Sequence, residues 1–142
     1  MRAGQEYVLR SLVLIGQHFG GDYTRGVIWL TISTASTGWL LDERLDRYQD
    51  EDTPVPNAER RPVSRLAVSQ ALGIPFETVR RHCNALIEDG WCVDVPGKGL
   101  IADATRLNQP AFVEVRAANA ANVRRLLRRL GVEEPHLSKA MA

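Results

Sequence analysis

Between Ser64 and Gly90 two helical patterns stand only three residues apart, and the chain that joins them, Gly73-Ile74-Pro75, is built to turn. Gly73 ends the first pattern by tolerating positive φ, and Pro75 opens the second with its φ already set and no N–H to leave unsatisfied. Ser64 is placed to cap the first helix, whose Leu66, Val68 and Leu72 are expected to face inward, with Ser69 small enough for a close crossing. In the second, Val79, Cys83, Leu86 and Ile87 recur at i, i+4, i+7 and i+8 and form a buried stripe. The other side then carries Phe76, Glu77, Thr78, Arg80, Arg81 and Asn84, and Gly90 ends the helix.

Two helices joined by so short a glycine-containing turn follow the helix-turn-helix plan. The next residues, "WCVDVPGKGLIA", set Trp91, Val93 and Val95 against Cys92 and Asp94. They turn at Pro96-Gly97-Lys98-Gly99 into Leu100-Ile101, a short β-hairpin with lysine at its tip. Segment 62–102 therefore resembles the winged helix-turn-helix of bacterial transcription regulators of the GntR, MarR and IclR kinds. "ALGIPFETVRRHCNALIEDGW" is similar to their pattern of turn glycine, Thr-Val and helix stop. Pro75 departs from it where a small polar cap is usual, and Phe76 where a polar residue is common.

Such a helix, fixed by its apolar side, can enter a DNA major groove about 12 Å wide. The residues expected at double-stranded DNA are Ser64, Arg65, Phe76, Glu77, Thr78, Arg80, Arg81, Asn84 and Lys98. Arg80 or Arg81 suits guanine or phosphate, Thr78 a phosphate oxygen, and Phe76 a thymine methyl. Ser64 and Arg65 suit phosphate, Lys98 the backbone or minor groove, and Glu77 is spaced to buttress Arg81 at i+4. Recognition helix 75–89 and wing 91–102 would divide the work. The alternative of another class is a winged helix that binds only protein; the near-neutral total charge of +1 favours it, and the arginine pair opposes it.

Charge is segregated along the 142 residues. Residues 1–59 carry five arginines against nine carboxylates, 60–102 six cations against four, and 103–142 seven against four. A locally basic surface can thus exist on a nearly neutral chain. The organisation expected is 1–59, N-terminal helices and an acidic linker; 60–104, the winged motif; and 105–142, a C-terminal helix. The fold class is mainly α with a hairpin wing and flanking helices.

In the first segment Val8, Leu12, Ile15 and Phe19 make a stripe that Gly20-Gly21 stops. Asp22 can cap a second helix running toward Gln49 with Ile28, Ile32, Ala35 and Trp39 on one side. Its β-branched density favours strand, but the alternation is not clean and helix is the expectation. Its Thr/Ser/Ala content suits close packing or a pocket wall. "YQDEDTPVPNAERRP" reads as linker.

At the far end Asn108 or Gln109 and Pro110 open a helix that Gly131 closes. It shows Phe112, Val115, Asn119, Asn122, Leu126 and Leu130 along one side. The asparagines could bond across a dimer seam, face a pocket, or sit at an edge. Arg124, Arg125, Arg128 and Arg129 could bind acids or lipid, or more simply solubilise the helix and pair with the acidic first segment. The first helix and helix 110–130 are expected to pair across the two-fold axis of a homodimer, as the MarR-like resemblance implies.

His18, His82 and His136 lack ligand spacing, so no metal is expected. No catalytic set can be assembled, and the chain reads as neither an enzyme nor a cofactor protein. Cys83 and Cys92 cannot make a disulfide framework; Cys83 reads as core, with a redox switch as the lesser option. The start "MRAGQEYVLR" reads as no signal peptide, no apolar run suits a membrane, and a cytoplasmic address follows. No particular small-molecule effector is indicated.

Overall fold

A computed structural model of the chain describes residues 1–40 and 54–132. The second helix ends at Thr37 with Gly38 as its C-cap, so it stops short of the expected run toward Gln49 and Trp39 falls beyond it. The acidic start of the linker and the last ten residues lie outside the described residues. The described residues are mainly helical, with six α-helices and one two-stranded antiparallel sheet.

Helix α1 (Arg2–His18) ends where Gly20 and Gly21 take positive φ, and the Asp22 carboxylate accepts from Arg25 N at 2.9 Å to start α2 (Tyr23–Thr37). Ile28, Ile32 and Ser36 of α2 are completely buried at i, i+4 and i+8, a helical spine that settles the helix-or-strand question. The hydroxyls of Thr31 and Ser36 donate to Val27 O and Ile32 O one turn back, at 2.9 and 2.6 Å. Polar side chains are thereby satisfied inside the helix, and the stretch serves close packing. A Cβ on Gly26 would lie 3.1 Å from Ile15 O, so that crossing is tight. Ala35, expected on the buried side, is exposed and Ser36 takes its place.

After a 3-10 turn (Asn57–Glu59), Val63 bridges Leu100 through two 3.0 Å backbone bonds. Ser64 Oγ then accepts from Ala67 N at 3.0 Å and caps α3 (Arg65–Leu72). Gly73, at φ 65°, turns the chain, and Ser69 Oγ donates to Ile74 O at 2.6 Å across the turn. Helix α4 (Phe76–Glu88) buries Val79, Cys83 and Leu86 completely. Val79 and Leu86 each contribute about 1.5–3 kcal/mol by this burial. Trp91 N donates to Leu86 O at 2.8 Å and leads into β1 (Cys92–Val95), paired antiparallel with β2 (Gly99–Ala102). A short α5 (Ala104–Leu107) and the long α6 (Pro110–Arg129) follow, the latter closed by Gly131 at φ 70°.

Helix α2 lies at the centre, against α1, α3, α4 and β2, while α6 packs on α1. One core joins all three expected segments, from Ile15 and Ile32 through Val79 and Leu100 to Phe112. At its junction Trp29, Trp91 and Phe112 surround His18 and Phe19, with His18 edge-on to Trp91 at 4.7 Å.

Several burial expectations need correction. Leu66 is 54% exposed, because in an eight-residue helix only the Val68–Leu72 row meets the core. Val8 is also exposed, and in the hairpin Cys92 is buried while Val93 is not. The pairing of α1 with α6 occurs within the chain: Ser11 Oγ donates to Asn119 Oδ1 at 3.2 Å, and Arg129 pairs with Glu6 at 2.9 Å. Leu126 lies in this seam beside Ala3 and Tyr7.

Candidate nucleic-acid interface

The turn between α3 and α4 brings the starts of both helices to one surface, and the hairpin closes its side. Between them runs an open groove of about 420 Å³, lined by Ser64, Arg65, Leu66, Phe76, Asp94, Val95, Gly97, Lys98 and Gly99. Four of the expected site residues, Ser64, Arg65, Phe76 and Lys98, thus meet around one cleft. Arg80, Arg81 and Asn84 are exposed along α4, Glu77 beside them, and Thr78 is half-buried.

The charges on this surface are not equivalent. Glu77 receives Arg80 Nε at 2.9 and 3.0 Å and Arg80 Nη2 at 2.5 Å. The hydrogen bond from Arg80 holds the Glu77 carboxyl below its ordinary range, and Glu77 raises Arg80 in turn. The expected buttress of Arg81 is therefore a clamp on Arg80, at i+3 rather than i+4. Arg81 is exposed, has no hydrogen bond or ion pair among the described residues, and acts on Glu77 through its charge alone. Lys98 is exposed at the hairpin turn, where its N–H donates to Val95 O at 3.0 Å.

Arg65 is engaged as well. Its Nη1 and Nη2 both lie 3.4 Å from Asp94 Oδ1, and Nη2 lies 3.4 Å from Asn84 Oδ1. Asp94 was not among the residues expected here. Its signal in the sequence is an aspartate inside a four-residue strand, a position that β propensity disfavours.

No protein-family model, curated protein or solved structure matches the chain.

Other chemistry finds little to build on. Among the described residues no three His, Cys, Asp or Glu side chains gather as metal ligands. Cys83 and Cys92 are both buried free thiols; burial raises Cys83 and pushes Cys92 up to about 12. Both stay protonated near neutrality, and the thiolate that redox chemistry needs is scarce. No helix among the described residues is long and apolar enough to cross a membrane.

Proposed function

We propose that the chain is a sequence-specific, DNA-binding transcription regulator of winged helix-turn-helix type, acting in the cytoplasm. Helix α4 enters the major groove as recognition helix, and the 92–102 hairpin is the wing that meets the backbone or minor groove. The observation that carries this reading is the coincidence of a capped α3, a left-handed Gly73 turn and an α4 with Val79, Cys83 and Leu86 inside. The same α4 shows Arg80 and Arg81 outside, and a hairpin with Lys98 at its turn follows directly. Helix N-termini and cations gathered on one face suit a polyanion whose groove admits a single helix.

A homodimer belongs to the same proposal. On the outer side of the α1–α6 pair, Leu9, Val13, Leu14 and Ala118 line a groove of about 350 Å³, and Leu9 is more than half exposed there. A second copy covering this face would present two recognition helices to an inverted repeat, with half-sites about 34–36 Å apart.

Leu66 and Phe76, both about half exposed at the groove, favour the second reading, a winged helix that binds protein. Incubating the chain with fragmented genomic DNA at low salt and sequencing what is retained separates the two. Enrichment of a shared motif over competitor supports the regulator; no enrichment removes it.

A further inference from the structure

We propose that Arg65, Asp94 and Asn84 form a latch that fixes the hairpin against α4, so that Arg65 positions Lys98 rather than binding phosphate itself. The inference rests on the DNA-binding reading for its consequence and on the geometry alone for the latch.

Arg65 is the first residue of α3, Asn84 stands on the exposed side of α4, and Asp94 lies in β1. One guanidinium therefore joins three elements, with three contacts at 3.4 Å. Its side chain is only 24% exposed although it lies at the surface, which leaves it less free to reach outward than Arg81 or Lys98. The latch also has a meaningful level along the hairpin. Asp94 is the register partner of Leu100, and Leu100 is the residue bridged by Val63 from the other edge. The hairpin is thus gripped on both edges at one level, a single residue pair before Val95 and Gly99 and the turn that carries Lys98. Any tilt of the hairpin about that level moves Lys98 relative to Arg80 and Arg81.

The latch accounts for a carboxylate on a surface that is proposed to meet a polyanion. Were Asp94 a bystander, or were Arg65 a phosphate ligand held back by it, deleting the carboxylate would tighten DNA binding by Coulomb's law. If the latch positions the hairpin, the same deletion must weaken binding. The sign of the effect decides.

Asp94→Ala, Arg65→Ala and the milder Asn84→Ala alter surface side chains and are expected to fold, as circular dichroism would verify. In the free protein, amide exchange at Lys98 should quicken by about two- to fivefold in the first two variants, as expected for loss of an exposed charged contact. Binding to the selected DNA fragment should fall by about two- to tenfold in Asp94→Ala, the cost of ordering a loosened element on binding. In a Lys98→Ala background that loss should vanish, because the positioned group is already gone. Unchanged exchange in both Asp94→Ala and Arg65→Ala overturns the latch, whether or not the chain binds DNA. Tighter or unchanged DNA binding by Asp94→Ala, or strict additivity with Lys98→Ala, overturns the positioning role. A native chain that retains no DNA fragment sinks the proposed function and leaves the exchange measurement to decide the latch.

Discussion

Gly99 and Val63 touch backbone to backbone: a Cβ on Gly99 would fall 2.2 Å from Val63 O and 2.9 Å from Ser64 N. Gly99 also holds φ at +127°, where L side chains are strained. The hairpin can dock against the start of α3 only because this residue has no side chain. Gly99→Ala should therefore cost about 2–4 kcal/mol in urea unfolding, strain and backbone displacement together. Gly97 offers the control, since its φ is also positive at 75° but nothing among the described residues lies within 4 Å of its added Cβ. Gly97→Ala should cost only about 1–2 kcal/mol. Equal costs would mean that the Val63 contact does not constrain the hairpin.

The clamp of Glu77 on Arg80, with Arg81 free of hydrogen bonds among the described residues, predicts two kinds of arginine on one helix. Arg81→Ala and Arg80→Ala should each cost about 1–3 kcal/mol of specific DNA binding and relax preference at a position in the site. Lys98→Ala should weaken binding alike for all sequences and reduce the slope of log K on log salt by about 0.9. Glu77→Gln should blunt the preference that depends on Arg80 and leave the Arg81 position intact. Selection of randomised sites by each variant would measure this. Equal, sequence-blind losses from all three cation variants would contradict α4 as the reader.

His18 predicts a pH dependence of stability. Its Nε2 is buried without a hydrogen-bond partner among the described residues, its ring is enclosed by Phe19, Trp91 and Phe112, and burial lowers its pKa from 6.5. Below about pH 6.5 the unfolded chain takes up a proton that the folded one resists. The stability due to neutral His18 is thus complete above 6.5 and is lost as pH falls toward the lowered folded value. Urea midpoints measured from pH 7.5 to 5.5 should decline, and His18→Phe should flatten that decline. A slope that survives the substitution unchanged assigns the effect to other groups.

The parts of the fold that were legible are those written locally. Ser64, Gly73 and Gly90 mark helix ends through their own hydrogen bonds and φ, and the Val79–Cys83–Leu86 row fixes the buried side of α4 without reference to other elements. Leu66 defeats an inward assignment based on apolar character alone, because it lies two residues from Val68 and so nearly opposite it on a helix. Val8 keeps the spacing of Ile15, but spacing alone does not say whether a neighbour covers that turn. In the site, Glu77 is within reach of both Arg80 and Arg81, and only rotamers decide between i+3 and i+4. The Asp94–Arg65–Asn84 meeting joins residues 19 and 29 apart and depends on tertiary docking that no local pattern encodes.

Because α1 and α6 pair within the chain, the proposed dimer must use another face. Leu126, between the two helices beside Ala3 and Tyr7, serves the chain's own packing, whereas Leu9 is 63% exposed on the outer groove with Val13 and Ala118. A face two helices wide and about 25 Å long offers roughly 500 Å² per copy. That gives about 1,000 Å² in total, the lower end for a specific interface, so DNA would add to the stability of the dimer. Leu126→Glu should unfold the chain, placing a charge in the α1–α6 seam. Leu9→Glu should instead yield a folded monomer that binds a half-site weakly. Sedimentation with circular dichroism would separate these outcomes. A native chain that sediments as a folded monomer at micromolar concentration, both alone and with the full inverted repeat, would leave this face without a second copy.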